Sequence, residues 1–169
     1  MRYWLDTEFI EDGKTIDLLS IGIVAEDGRE FYAENGEADK SRSNQWVRDN
    51  VLPHLRVCTP PAEDCPHYTK AEIAERVAAF CDPETHSKPE FWGYYADYDW
   101  VVLCQLFGRM IDLPKGWPMY CRDLKQWCDD LDNPVLPEQG KSEHHALADA
   151  RWNHVAWDYL NSLTLHRRG

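Results

Sequence analysis

The segment YWLDTEF, residues 3–9, sets two carboxylates, Asp6 and Glu8, into a run that otherwise has the apolar character of a buried strand. Ionised side chains are rarely buried unless they are paired or hold a metal. Alternate residues of a strand share a face, so Asp6 and Glu8 project together while Thr7 points the other way. That makes them a ready pair of metal ligands. The plain alternative is solvated charge on an edge strand, and it is weakened by the neighbours Trp4, Leu5, Phe9 and Ile10, which give the strand a central character.

Two more clusters carry similar chemistry. Asp97-Tyr98-Asp99 stands where a strand-like stretch, EFWGYYA, meets a helical apolar pattern, DYDWVVLCQLFG. The free N–H groups of a helix's first turn favour acids, so one of the two can serve only as a cap; Asp97 is the natural capping candidate, which leaves Asp99 to point into a cleft beyond the strand ends, and spacing alone does not settle the choice. In Glu143-His144-His145-Ala146-Leu147-Ala148-Asp149, His145 and Asp149 are four apart and share a helix face. His144 reaches the same region only from the helix start or the loop ahead of it. Taken singly, either histidine could be a solvated residue near a helix terminus.

The elements that must position these groups follow from periodicity and turn residues. The first strand is followed by two β-rich runs around Glu26-Asp27-Gly28-Arg29, where Asp-Gly signals a hairpin, so three antiparallel strands fill the first 35 residues. A short helix is expected around Trp46, Val47 and Val51, stopped by Pro53, and RVCTPPAEDCPHYT reads as a Pro-rich loop. Thr69 and Glu72 form a capping box for a helix reaching Cys81. The strand–helix junction at Asp97–Asp99 follows, with the helix ending at Gly108, and then a helix through YCRDLKQWCDDL. A final helix is expected from about Ser142, its apolar face drawn from Leu147, Trp152, Val155, Ala156 and Leu160. Strands, then helix, strand and further helices, indicate a mixed α/β sheet covered by helices in a single domain over residues 1–169.

Composition narrows the function classes. Acids outnumber Lys and Arg by 30 to 18, and the net charge of -12 argues against a protein that coats nucleic acid with a basic surface. It is compatible with a nuclease, whose cations bring positive charge to the site. None of the 6 cysteines forms a C-x-x-C pair, so free thiols and a reducing, cytoplasmic setting are expected. No apolar stretch approaches the roughly 20 residues of a membrane span.

The order D-x-E, then D, then H-x4-D, in Asp6-Thr7-Glu8, Asp99 and His144 to Asp149, resembles the DEDDh family of 3'-to-5' exonucleases. DTEFIEDG, LLSIGIVAEDGREFYA, ADYDWVVLCQLFG, CRDLKQW and HHALADAR are further similar to its ribonuclease AS branch, the polyadenylate-specific exoribonucleases. The resemblance implies a ribonuclease H-like mixed five-stranded sheet flanked by helices. It also implies that Asp6, Glu8, Asp99 and Asp149 hold two Mg2+ or Mn2+ ions and that His144, rather than His145, is the general base. The implied product is a nucleoside 5'-monophosphate from a single-stranded RNA 3' end, and relatives of this branch form homodimers. Phe9, Tyr98 and Trp100 flank the acids and are candidate stacking surfaces for bases, although such residues more often pack inward. The competing readings are a DNA-directed 3'-5' exonuclease with the same five residues, an aspartyl-nucleophile phosphatase, disfavoured by Glu8, and a non-catalytic nucleic-acid-binding domain of the same fold.

Overall fold

The computed structural model describes residues 1–58, 65–140 and 143–168. Strands β1 (Arg2–Glu11), β2 (Ile16–Ala25) and β3 (Glu30–Asn35) form the expected antiparallel meander, with Gly28 at a φ of +86° in the β2–β3 turn. The rest of the chain supplies α1 (Gln45–Asn50), β4 (His67–Tyr68), α2 (Lys70–Phe80), α3 (Pro83–His86) and β5 (Glu90–Gly93). It ends with α4 (Asp97–Phe107), β6 (Arg122–Asp123), α5 (Leu124–Asp130) and α6 (Ala146–Arg168).

The sheet order is β4-β3-β2-β1-β5-β6. This is six strands where five were expected. The two-residue β4 extends the β3 edge through the pairs Glu34 with His67 and Asn35 with Tyr68. A segment this short has no alternation to read, and neither does the equally short β6.

Each face of β1 has its own core. Tyr3 and Leu5 pack with Ile73 and Val77 of α2 and with Val102 and Leu103 of α4. Trp4 packs with Leu124 of α5 and with Ala150, Ala156, Trp157 and Leu160 of α6. The even-numbered positions of β1 therefore face α6 and the odd-numbered ones face α4. A smaller cluster of Ile10, Leu19, Val47, Val51 and Leu55 fixes α1 beyond the far end of β1.

Local chemistry sets the helix ends. Thr69 and Glu72 make the expected reciprocal capping box of α2, and Gly108 closes α4 at a φ of +109°. The start expected for the last helix, Ser142, lies outside the described residues, and α6 begins only at Ala146. His144 precedes it with a φ of +69°, a conformation that ends regular structure. The middle of the expected Pro-rich loop, residues 59–64, also lies outside the described residues.

The cysteine reading requires a correction. Cys58 and Cys65 are joined in a disulfide, their Cα atoms 6.0 Å apart, while Cys81, Cys104, Cys121 and Cys128 are free. Partners 7 residues apart carry no C-x-x-C spacing. The pair also removes the cysteine-based ground for a reducing compartment. Among the described residues, no helix is long and apolar enough to cross a membrane.

Candidate active site

Three elements bring the acids together at one end of the sheet. β1 presents Asp6 and Glu8 on the face toward α6, and its register with β2 shifts between Glu8 and Phe9. Such a bulge bends a strand and re-aims the side chains beside it. Asp99 arrives from the first turn of α4 on the opposite face, where its Oδ1 accepts from the Thr7 backbone N–H at 2.8 Å and the Thr7 hydroxyl at 2.6 Å. Asp149 comes from the first turn of α6.

Two features near the site set the distance of α6 from the strands. The buried Asn153 side chain donates to the Leu5 carbonyl at 2.9 Å. Gly22 of β2 lies so close to the helix start that a Cβ there would meet the backbone of Ala146 and Leu147 at 2.4 Å. Only glycine permits that approach, and neither contact carries a recognisable sequence signal.

The resulting cleft has a volume of about 360 Å³ and is lined by Asp6, Glu8, Asp99, Asp149, His144 and the aromatic residues Phe9, Trp46, Tyr94 and Tyr95. Glu8, Asp99 and Asp149 are 8, 6 and 9% exposed; Asp6 is partly exposed to the cleft. Ligand atoms of Glu8, His144 and Asp149 lie within 4.8 Å of one another. Burial, reinforced by Asp99, Glu8 and Asp149, pushes the Asp6 carboxyl well above its ordinary range. Burial and then Asp149 and Asp99 push Glu8 up to about 8. Asp99 is raised by burial to about 6 against the opposing hydrogen bonds of Thr7, and Asp149 is raised by burial against those of His144 and Gln139.

Among the described residues, no lysine or arginine forms an ion pair with these acids. Crowded, desolvated carboxylates with no basic partner are a fitting donor set for hard divalent cations, which take oxygen ligands and restore the charged forms.

The two histidines have different surroundings. His145 is structural: its carbonyl accepts from Asp149 N at 3.0 Å, its Nδ1 accepts from Ala148 N at 3.4 Å, and its ring stacks on Tyr32 at 4.7 Å. His144 lies on the loop before α6 and lines the cleft. Its backbone N–H donates to Asp149 Oδ2 at 2.9 Å, and its ring meets the Trp46 ring edge-on at 4.8 Å.

Two sequence expectations need correcting. Asp97 is not the cap of α4: Ala96 holds that position without a side-chain bond, and Asp97 is exposed in the first turn. The Ala96 N–H is satisfied by Asp123 Oδ2 at 2.7 Å, a partner far away in sequence. Trp100 is not a stacking surface. It is only 8% exposed and packs on Phe91 at 5.5 Å, because its place in the helix turns it to the sheet. Phe9 lines the cleft, and the exposed Tyr98 packs edge-on against it at 5.8 Å. Trp46 and Gln139, which donates to Asp149 Oδ1 at 2.6 Å, were invisible as site residues because they come from segments with no motif.

The Rv2179c-like domain family, described as a 3'-5' exoribonuclease domain, matches residues 1–161. The chain belongs to this family. The match spans all of Asp6, Glu8, Asp99, His144 and Asp149. The 3'-5' exoribonucleases Rv2179c and MT2234.1, from the H37Rv and CDC 1551 strains of Mycobacterium tuberculosis, are each 44% identical to it over 151 residues, 89% of this chain and 88% of the relative. The structure of S. pombe Pop2p in its Mg2+ and Mn2+ bound form superposes with a TM-score of 0.57 at 13% identity, covering 95% of this chain and 82% of that one. That likeness shows the fold, a ribonuclease H-like sheet flanked by helices.

Proposed function

We propose that this chain, a 3'-5' exoribonuclease by family, removes nucleoside 5'-monophosphates one at a time from single-stranded RNA 3' ends, with a preference for adenylate tracts. Asp6, Glu8, Asp99 and Asp149 would hold two Mg2+ or Mn2+ ions, and His144 serves as the general base. The observation that carries this reading is the convergence of four carboxylates and one loop histidine on a single cleft, with no lysine or arginine paired to those acids among the described residues.

When bound, the cations supply charge stabilisation at the scissile phosphate and acidify water. The protein's own groups do the positioning. Thr7 fixes the orientation of Asp99, and the His144 N–H and Gln139 amide fix that of Asp149. His144 stands outside the helix, where its ring can accept a proton from an attacking water. Phe9 and Trp46 border the cleft as flat surfaces for the terminal bases, with Tyr98 supporting Phe9. A hydrolase that works only at chain ends needs few phosphate contacts, which suits the net charge of -12.

The test is degradation of 5'-labelled RNA and DNA oligonucleotides of matched sequence, including oligoadenylate, with Mg2+, Mn2+ or EDTA and with Asp6→Ala as control. The expected result is a metal-dependent ladder shortening from the 3' end, faster on RNA and fastest on oligoadenylate, and absent in the variant. Equal or faster cleavage of DNA would reassign the substrate, and intact polymers throughout would overturn the assignment.

A further inference from the structure

A second set of metal-binding side chains lies outside the cleft. The Cys58 and Cys65 sulfurs and a ring nitrogen of His67 are within 4.8 Å of one another, and all three residues are half-buried. Behind the imidazole stands Glu34, whose side chain is 1% exposed. Its Oε1 accepts from the Tyr32 hydroxyl at 2.7 Å and the Arg56 N–H at 2.8 Å, and its Oε2 faces His67 Nε2 at 2.8 Å. With Nε2 committed to Glu34, Nδ1 is the nitrogen left for a ligand. A buried carboxylate that orients an imidazole and raises its basicity is the usual support behind a metal-ligating histidine.

We propose that Cys58, Cys65 and His67 form a redox-gated Zn2+ site, open when the two sulfurs are thiolates and closed when they are joined as a disulfide. A tetrahedral zinc with thiolates at about 2.3 Å and an imidazole at about 2.0 Å separates its donors by roughly 3.5 to 3.8 Å. That spacing fits inside the observed cluster, and Cα atoms 6.0 Å apart allow either state by side-chain rotation alone. Solvent takes the fourth position, since the three ligands are only half-buried. Thiolate and imidazole select a softer ion than the carboxylates of the cleft, so the two sites draw on different metals.

The chemistry balances. A low-molecular-weight thiol pair reduces the disulfide, delivering two electrons and two protons to give two thiols, and zinc binding then releases both protons. In the reverse direction hydrogen peroxide takes two electrons from the two thiolates and two protons from solvent to give two waters, the S–S bond forms, and the ion leaves.

The experiment uses the full chain with Co2+ as the probe, once reduced by a phosphine and once oxidised. The reduced chain is expected to show a thiolate-to-cobalt charge-transfer band that saturates at one ion per chain and is abolished by Zn2+; the oxidised chain shows none. Cobalt held by carboxylates gives no such band, so the cleft does not interfere. With Cys58→Ser the band falls by about half, one of two thiolates being gone, and with His67→Gln its midpoint moves to higher Co2+. A reduced wild-type chain without the band overturns the site, and a midpoint unmoved by His67→Gln removes the imidazole and with it the proposal.

Discussion

Thr7 and Asp99 are joined twice through one oxygen: the Thr7 N–H donates to Asp99 Oδ1 at 2.8 Å and its hydroxyl to the same atom at 2.6 Å. This contact fixes a carboxylate from α4 against β1, across 92 residues of sequence. Thr7→Val keeps the backbone bond and the side-chain shape but removes the hydroxyl. Loss of a bond that orients a ligand typically costs about 10- to 100-fold in metal affinity or activity. Titrating RNA cleavage against Mg2+ should show that drop, with Thr7→Ser restoring most of it.

His144 and His145 should separate by experiment. Replacing a general base by alanine lowers the chemical step by about 10²- to 10⁴-fold, so His144→Ala is expected to lose that much in single-turnover cleavage while its melting temperature stays near wild type. His145→Ala loses a helix cap and the stack on Tyr32, a stability cost of about 0.5 to 2 kcal/mol, with little change in rate. Interchanged results would make His145 the base.

The exposed Trp46 meets the His144 ring edge-on at 4.8 Å. Stacking on such a surface contributes roughly 1 to 3 kcal/mol per base. Trp46→Ala should therefore raise the KM for RNA severalfold or more and leave kcat largely intact. Trp100→Phe, by contrast, changes a core contact and should leave KM where it was.

The sequence was most readable where one residue type answers to one local rule. Asp6 and Glu8 declare themselves as acids in an apolar strand, Thr69 and Glu72 as a capping box, and Gly108 as a helix stop. It was least readable where a partner lies far along the chain. The cap residue of α4, Ala96, donates its N–H to the Asp123 carboxylate, so Asp97 only looked like the cap. The β4 edge depends on Glu34 meeting His67, and Trp46 joins the site only because Val47 and Val51 pack on Ile10 and Leu19. Nothing local marks Cys58 and Cys65 as neighbours.

Gly22 tests whether α6 is held at the distance the site needs. A methyl group there would meet backbone atoms of Ala146 and Leu147 at 2.4 Å, and backbone cannot turn aside as a side chain can. Overpacking of this kind costs about 1 to 3 kcal/mol. Gly22→Ala should lower the urea midpoint and, because α6 carries Asp149, also weaken Mg2+-dependent cleavage of RNA. An unchanged midpoint would show that the helix can slide at no cost.

The carboxylate cluster makes the stability of the metal-free chain depend on pH in an unusual direction. Acids that are ion-paired or hydrogen-bonded in the native state are commonly stabilised in their charged form, and folding then weakens as pH falls. Here burial, with neighbouring carboxylates, raises Glu8 to about 8 and Asp6 well above its ordinary range, while burial takes Asp99 to about 6. The native state then holds protons that the unfolded chain, with carboxyl pKa values near 4, has already released. Where the folded state binds more protons, stability falls as pH rises. Their contribution is thus fully present below about pH 4 and is lost through the window from about pH 6 to 8 set by Asp99 and Glu8. In EDTA, the melting temperature should drop on going from about pH 5 to about pH 8.5, and saturating Mg2+ should restore it most at the upper end, where the acids are ionised. Glu8→Gln, which carries no charge at either pH, should flatten the metal-free profile. A melting temperature that climbs with pH in EDTA would mean that these acids are already neutralised by groups within the fold.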